Sequence, residues 1–580
     1  MRDHIFLDQN SQKTNSATVK IIFDLEMSKF PPKQNHLITV MVEDYFQVGA
    51  FEKLIQERNW SNFEPRYEQN TRKALELLDE FDTKATFFVL GWIAEQSPDL
   101  VREIAERGHE VASRGYYHRS LKNLSPEEFR DDVIRTNNAI EAATKQKVIG
   151  YRSAEKLDWS TDKWILDILA EEGLVYDSSF MPLGKDDKKV RSAQKLKVRD
   201  SEIWEFPYST TDLKLGLLPI SGGNYLRQIP YSIVKHAIAN WVKKGNSPFI
   251  FYFHVWELDP EQPRISAASY YNHIRHYRKL DKMDWVIRDI LGQYDFSSVS
   301  NYLNIVPAVS DATLAVSTVS AESNKNEVKQ TASKDLIPVT IVVPCYNEQD
   351  TLPYLANTLN GVNEKLNEIG HSMRLIFVDD KSSDETVATI RSLFDGLYDA
   401  RLIEHEKNKG VAGAIMTGIQ AAETDIVCSI DCDCTFDPFE LPKMIPMLTE
   451  GVDMVTASPY HKDGGVRNVP GWRLLLSKGA SFIYRRILHS KLDSYTACFR
   501  VYRREAMTNI QFKETGYHGV AEMLGQLDLN GGKILEFPTV LETRLFGFSK
   551  MKTLNTIGGH VKLMSRLAKT RFLGDKPVKT

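Results

Sequence analysis

The chain has 580 residues, of which 42% are hydrophobic, 10% aromatic and 26% charged. That composition excludes a disordered chain, a collagen and a disulfide miniprotein, and the length predicts roughly two to four domains. The formal net charge of −4 excludes a globally basic nucleic-acid binder, so no nucleic-acid partner is expected.

The charge is uneven. From Lys550 to Thr580 there are eight Lys/Arg and one Asp, a local +7 against −11 on the rest. The N-terminal MRDHIFLDQNSQKTN lacks the basic and apolar regions of a signal peptide. No stretch approaches the length of uninterrupted apolar sequence that a transmembrane helix needs. The five Cys all lie beyond residue 344, which does not suggest a secreted disulfide framework. A cytoplasmic chain is expected, peripheral at the inner face of the cytoplasmic membrane.

After an N-terminal extension over 1–36, the pattern alternates. HLITVMVEDYF reads as a strand entering a loop, and Asn70–Phe81 has helical spacing. ATFFVLGWI is a buried strand, Pro98–Gly108 a helix, HEVASRGYYH a strand and loop, and PFIFYFHVWEL a later buried strand. The β-α-β order predicts a parallel sheet covered by helices over 37–306. From Ala308 to Asp335 there is no aromatic, Gly or Pro, so 307–336 reads as a linker. A second alternating unit follows over 337–549. VTIVVPCYNE, MRLIFVDDKSSDET and DIVCSIDCDCTFDP each run from a strand into a polar loop, where an open parallel sheet binds its ligand. Residues 550–580 form a basic tail. Leu554, Ile557, Val561, Met564 and Leu567 recur at helical spacing there, with Lys562, Arg566 and Lys569 on another face. That pattern suits an anionic membrane surface, and equally a helix packed on the domain with a solvated basic face.

The acidic loop carries the most chemistry. Asp431 and Asp433 at i, i+2 after a strand can chelate a hard divalent cation, Mg2+ or Mn2+, which neutralises a leaving diphosphate. Alone, the pattern also reads as a turn or helix cap, as at Asp437-Pro438. It is preceded by Pro344, Tyr346, Asn347 and Glu348, then Asp379-Asp380-Lys381-Ser382, then Asn408-Lys409-Gly410, all at strand ends. This ordered series resembles the family 2 glycosyltransferases of the GT-A (Rossmann-like) fold, in particular the dolichyl- and polyprenyl-phosphate sugar synthases.

The resemblance implies a nucleotide-sugar donor held by Pro344, Tyr346, Asn347, Glu348, Asp380, Lys409, Gly410 and Asp431, with Tyr346 and Glu348 along the base and ribose. It implies that Asp380 accepts a hydrogen bond from the base and that Asp433, with Asp431, holds the metal. Thr435 stands where the group often has a better metal ligand. The segment Leu492–Arg500 resembles the acceptor side, with Cys498 in place of the usual Gly. The acceptor is then a glycan or a polyprenyl-phosphate-linked sugar chain, and Arg500, Lys550 and Lys552 are expected beside its phosphate. An inverting transfer needs a base unless the acceptor is already an anion; Asp493 and Glu522 are the candidates, and Glu522 also reads as a structural helix carboxylate.

In the first unit VEDYF, RGHEVASRGYYH, GYRS and FHVWE occur in order. Together they resemble polysaccharide deacetylases of the exopolysaccharide-associated branch, which implies a distorted (β/α) barrel and a metal held by one Asp and two His. Glu43, Asp44, Arg114, His118, Arg152 and His254 occupy the matching positions. Met41 stands where the family has an Asp, and Arg114 where it has a metal-binding His. Arginine stays protonated and cannot coordinate a cation, so Zn2+ binding is not expected and Arg114 is expected to pair with Asp44 or Glu43. The reading is an active glycosyltransferase of exopolysaccharide or envelope glycan synthesis with an inactive deacetylase-like module. The alternatives are a bifunctional N-deacetylase and transferase, or a non-catalytic glycan-binding assembly protein.

Overall fold

The computed structural model describes residues 36–157, 161–183, 191–199, 201–213, 216–245, 248–312, 336–511, 513–548 and 553–574. The chain divides into two units. One comprises Met1–Ala50, Arg66–Gln262 and Tyr271–Glu322, and the other Phe51–Pro65, Pro263–Tyr270 and Ser323–Thr580.

The first unit is built on a nine-stranded sheet. Its inner strand, His36–Val42, is buried along its whole length, as a strand with helices on both faces should be. It pairs in parallel with Ile250–His254 on one side and Thr86–Val89 on the other. The sheet continues through Glu110–Ser113, Gly150–Tyr151, Tyr176–Asp177 and Ser201–Glu205, ending on the antiparallel Gln194–Val198. This is the α/β barrel-type sheet expected, left open among the described residues. The helical spacing around residue 75 produces helix Tyr67–Glu80, whose Ala74, Leu75, Leu77 and Leu78 are buried. The low-complexity segment is still anchored at its start: Lys147 N donates to Ala308 O, and Ser310 Oγ donates to Glu141 Oε2 at 2.6 Å.

The second unit carries a seven-stranded sheet in the order Arg401–Glu404, His371–Asp379, Ile337–Cys345, Ile426–Ser429, Arg500–Arg503, Met454–Ser458 and Ile534–Pro538. Only Arg500–Arg503 runs antiparallel to its neighbours. The chain first adds strands outward from Ile337–Cys345, then crosses back to lay Ile426–Ser429 along its other edge. The order reverses between these two strands, and such a reversal opens a crevice at their carboxyl ends.

Helix Val411–Ala421 closes over that crevice because its packing face is small. A Cβ on Gly418 would come within 2.3 Å of Val342 Cγ1. Gly410, just ahead of the helix, has φ +78°, and a Cβ there would meet Thr515 O at 2.6 Å. One side of the sheet is filled by Ile415, Ile419, Leu524 and Leu567, the other by Leu355, Leu359, Phe377 and Phe499. Each such fully buried side chain contributes about 1.5–3 kcal/mol. Among the described residues no helix is long and apolar enough to cross a membrane.

Candidate active site

Two adjoining cavities open at the carboxyl ends of the central strands of the second unit. The smaller, about 420 Å3, is lined by Pro344, Tyr346, Glu348, Asp380, Gly410 and Asp431, among others. The expected donor residues therefore converge, with two exceptions. Asn347 acts through its side chain on a neighbouring loop, and Lys409 through its backbone. Asn347 sits at φ +54°, and its Oδ1 accepts from Ser383 N at 2.7 Å, which ties two strand-end loops together. Lys409 N donates to Asp380 Oδ1 at 2.6 Å.

Asp380 is held by several donors. Its Oδ2 accepts from Gly410 N at 2.7 Å, and His405 Nδ1 lies 2.8 Å from its Oδ1. One buried carboxylate thus holds the Asn408–Gly410 turn that leads into helix Val411–Ala421. His405 carried no signal in the sequence, because its partner is 25 residues away.

Asp431 lines both cavities, with Tyr517 and Arg544. Burial pushes its carboxyl up to about 7, and the neighbouring Asp433 charge adds to that; a hydrogen bond from the Cys498 thiol and the charge of Arg544 oppose it. Asp433 Oδ2 accepts from Arg544 Nε at 2.6 Å, and its Oδ1 accepts from Thr435 N at 3.1 Å. Arg544 also donates from Nη2 and Nη1 to Glu348 at 3.0 and 3.1 Å. One guanidinium thereby compensates two carboxylates from different loops, a bidentate role that a lysine cannot fill. Sequence reasoning missed Arg544, although it lies only six residues before Lys550.

Two hard carboxylates on one loop, one of them raised by burial and then by repulsion from the other, are a donor set that a divalent cation relieves. Among the described residues no group of three or more His, Cys, Asp or Glu is arranged around a metal position.

The larger cavity, about 670 Å3, has Asp431, Asp433 and Arg544 at one end and Trp472, Leu476, Ile483, Ile557 and Val561 along its walls. Neither expected base reaches it. Asp493 is paired with Arg485 at 2.5 Å. Glu522 is buried, accepts from Lys513 N and Glu514 N, and pairs with Arg566 at 2.5 Å, which is the structural alternative for this residue. Arg500, expected beside the acceptor phosphate, is wholly buried and donates to the carbonyls of Val520 and Tyr495. It braces the framework. Lys550 and Lys552 lie outside the described residues.

Helix Thr553–Leu573 buries Leu563, Met564 and Leu567 in the core of this unit, while Ile557 and Val561 of the apolar stripe stay exposed. Arg566 faces Glu514 and Glu522, not solvent.

In the first unit Glu43 stands at the centre of a buried ionic cluster. Arg114 Nε donates to its Oε2 at 2.8 Å, His254 Nδ1 lies 2.5 Å from Oε1, and His118 Nε2 lies 3.7 Å from Oε2. Burial pushes the Glu43 carboxyl up, but Arg114 and His254 together hold it well below its ordinary range. Burial lowers His118 to about 4. Arg114 pairs with Glu43, the second of its two expected partners. Asp44 instead accepts from Tyr45 N, Arg66 N and Tyr67 N, capping the start of helix Tyr67–Glu80. Arg152 is a core residue, donating to Ser178 O and Thr39 Oγ1 with its guanidinium 4.4 Å from the Phe88 ring centroid. These residues do not compose a zinc set: one matching position is cationic, and the Asp is committed to backbone amides.

Comparison with known proteins finds matches in both halves. Residues 340–510 match the model of glycosyl transferase family 2, residues 55–172 that of polysaccharide deacetylase, and residues 178–304 a domain of unknown function, DUF3473. The chain is 29% identical over 243 residues to a dolichol-phosphate mannosyltransferase of Pyrococcus furiosus, covering 42% of this chain and 66% of that one, just under two thirds of its length. It is 28% identical over 222 residues to a polyprenol monophosphomannose synthase of Mycolicibacterium smegmatis, covering 37% and 81%. Among solved structures, a glucosyl-3-phosphoglycerate synthase of Mycobacterium tuberculosis, in complex with Mn2+, UDP and its product, aligns at 20% identity with a TM-score of 0.31, over 40% of this chain and 80% of that one.

Proposed function

We propose that this chain, a polysaccharide deacetylase-type domain joined to a family 2 glycosyltransferase domain, transfers a sugar with inversion from a nucleotide diphosphate to a lipid-linked phosphate or glycan. In this reading residues 37–306 and 337–549 are the two domains, and the work is done at the inner face of the cytoplasmic membrane. The observation that carries it is the position of Asp431, shared by a polar cavity and a larger, mostly apolar one. Mannosyl transfer to polyprenol or dolichol phosphate by the relatives favours a lipid-phosphate acceptor.

The chain's own residues supply three things. Tyr346, Glu348 and Asp380 hold the nucleotide end of the donor. Arg544 places a fixed positive charge where the diphosphate leaves, compensating charge that develops in the transition state. A divalent cation held by Asp433 and Asp431, Mg2+ or Mn2+, adds Lewis-acid neutralisation of that diphosphate. Neither Asp493 nor Glu522 lines the acceptor cavity, and a phosphate acceptor needs no base, because it arrives as an anion.

The first domain is proposed to be a deacetylase that has exchanged its metal for the Arg114–Glu43 pair and is kept to bind or present glycan. Nucleotide-diphosphate release is measured with a panel of UDP and GDP sugars, polyprenyl phosphate and Mn2+ or Mg2+. Release with at least one donor, lost in Asp433→Ala, is expected. No release with any donor, together with no effect of Asp433→Ala, favours a non-catalytic assembly protein. Acetate release from N-acetylated glycans, unchanged in Arg114→Ala and abolished in Glu43→Gln, makes the chain bifunctional instead.

A further inference from the structure

Two stretches of the second unit come from the first half of the sequence, Phe51–Pro65 and Pro263–Tyr270. Neither carries a motif of the transferase series. Inside the second unit, however, both converge on the stretch around Arg544. Ser266 N donates to Leu545 O at 2.7 Å. The Phe63 ring lies 5.9 Å from that of Phe546, and Arg58 lies 3.9 Å from Glu542. These contacts fall within two residues of Arg544, on both sides of it. Ser266 and Ala267 also line the larger cavity, together with Asp433 and Arg544. The exposed Arg58–Glu542 pair contributes little by itself, so the seating of this stretch rests on Phe63 and Ser266.

Phe63 has a second partner. Its ring is edge-on to Tyr354 at 5.0 Å, and Tyr354 lies 5.8 Å from Phe546, so the three rings close a triangle. Tyr354 stands in the first turn of helix Leu352–Glu368, six residues after Glu348. Asn62 fixes the same region: its Nδ2 donates to Tyr354 OH at 3.5 Å, and its carbonyl accepts from Asn357 Nδ2 at 3.3 Å. One aromatic side chain, 1% exposed, thus joins the two stretches that carry the ends of the Arg544–Glu348 pair. An arginine bonded to carboxylates on two loops keeps its geometry only while those loops keep their spacing.

We propose that Phe63 and Ser266 are positioning residues of the transferase, holding Arg544 where it meets Asp433, Glu348 and the leaving diphosphate. The first half of the sequence is then retained in part to complete the transferase site, whatever its own domain binds. The role toward the diphosphate rests on the transferase reading; the seating of Arg544 does not.

The seating is read in the full chain by phenylglyoxal modification of arginine, followed by peptide mass spectrometry, in Phe63→Leu, Phe63→Ala and Ser266→Pro. Proline suits its position: Ala268 N donates to Ile265 O at 3.1 Å, which makes Ser266 the second residue of a turn, so the substitution deletes the N–H donor and keeps the turn. Arg503, held instead by the carbonyls of Val452 and Leu448 at 2.8 and 2.9 Å, is the internal reference. Arg544 should react on the order of threefold or more faster in Phe63→Ala and Ser266→Pro, and less so in Phe63→Leu, with Arg503 unchanged. In nucleotide-diphosphate release, kcat should fall roughly tenfold in the same two variants with a smaller change in donor KM, and Phe63→Leu should recover part. Each residue stands by its own variant. Arg544 reacting at the wild-type rate removes that residue from the role, and so does an equal acceleration of Arg503, which means general loosening. Wild-type kcat in a variant that exposes Arg544 overturns the positioning role. A wild type that releases no nucleotide diphosphate with any donor defeats the transferase reading instead, and the labelling still decides the seating. If Phe63→Ala does not fold, Phe63→Leu and Ser266→Pro carry the comparison.

Discussion

Arg544 answers two carboxylates at once, Asp433 and Glu348, and each bond is charge-assisted. Such bonds contribute about 1.5–3 kcal/mol apiece. Arg544→Gln should lower the initial rate of nucleotide-diphosphate release at least tenfold, equivalent to about 1.4 kcal/mol of barrier. Arg544→Lys should recover only part, because one ammonium cannot span both loops. Wild-type rates in Arg544→Gln would remove this residue from the site. In the other unit His109 is a pH-sensitive point. Its Nδ1 accepts from Ala85 N at 3.1 Å, and its ring packs edge-on to Phe87. Burial first, and then the nearby charge of Lys84, lower it to about 4 from an ordinary 6.5. The unfolded chain therefore binds this proton before the folded one does. Stability is intact above pH 6.5 and declines by up to about 1.4 kcal/mol per pH unit as the pH falls toward 4. His109→Gln should flatten that acid limb in urea unfolding measured across the window; an unaltered slope assigns the acid sensitivity elsewhere.

Helix Tyr517–Leu529 shows how an element changes the meaning of a carboxylate. Its periodicity was legible, and Glu522 within it read equally as base or as brace. The pairing that separates the two readings comes from Arg566, 44 residues later. With the arginine gone, Glu522 is a buried charge holding only two backbone amides. Arg566→Ala should cost about 3–5 kcal/mol in equilibrium unfolding, the usual penalty for breaking a buried pair from one side. Glu522→Gln should be milder and should leave transfer per folded molecule intact, which a catalytic role does not permit. The small-residue face of helix Val411–Ala421 was equally legible, since GVAGAIMTGIQAA has nothing large to pack. The sequence does not show how close the contact is. Gly418→Ala places a methyl group 2.3 Å from Val342 and should cost about 1–3 kcal/mol by overpacking, read as a lower denaturation midpoint at unchanged m-value.

At the scale of the whole molecule, all five cysteines are free thiols, four buried and Cys434 half-buried. Burial raises Cys428, Cys434 and Cys498, which lowers their thiolate fraction. A disulfide reagent should titrate five thiols in denaturant and far fewer in the native protein. Five fast thiols in the native state contradict the packing around Ser429–Cys434. The charge asymmetry also changes meaning at this scale. The basic tail looked like a separate appendage, but Leu563 and Leu567 belong to the core of the second unit and Arg566 is spent on internal pairs. The positive surface that remains includes the exposed Lys562 and Lys569.

The sequence by itself determined the two-domain plan, the alternation of strand and helix, and the carboxylates and polar loops at the strand ends. These are local patterns: period, turn chemistry and motif residues lie within a few positions of one another. The expectation that Arg114 meets a carboxylate of the same site was legible too, because an arginine is always charged and cannot ligate a cation. Tertiary structure decided the partners. Asp433 finds Arg544 across 111 residues, and Glu43 finds Arg114 across 71. It also decided which apolar faces are covered. An amphipathic pattern says which residues share a face, but only packing says whether that face meets a core, as in helix Thr553–Leu573, or is left outward, as in helix Gly471–Ile487.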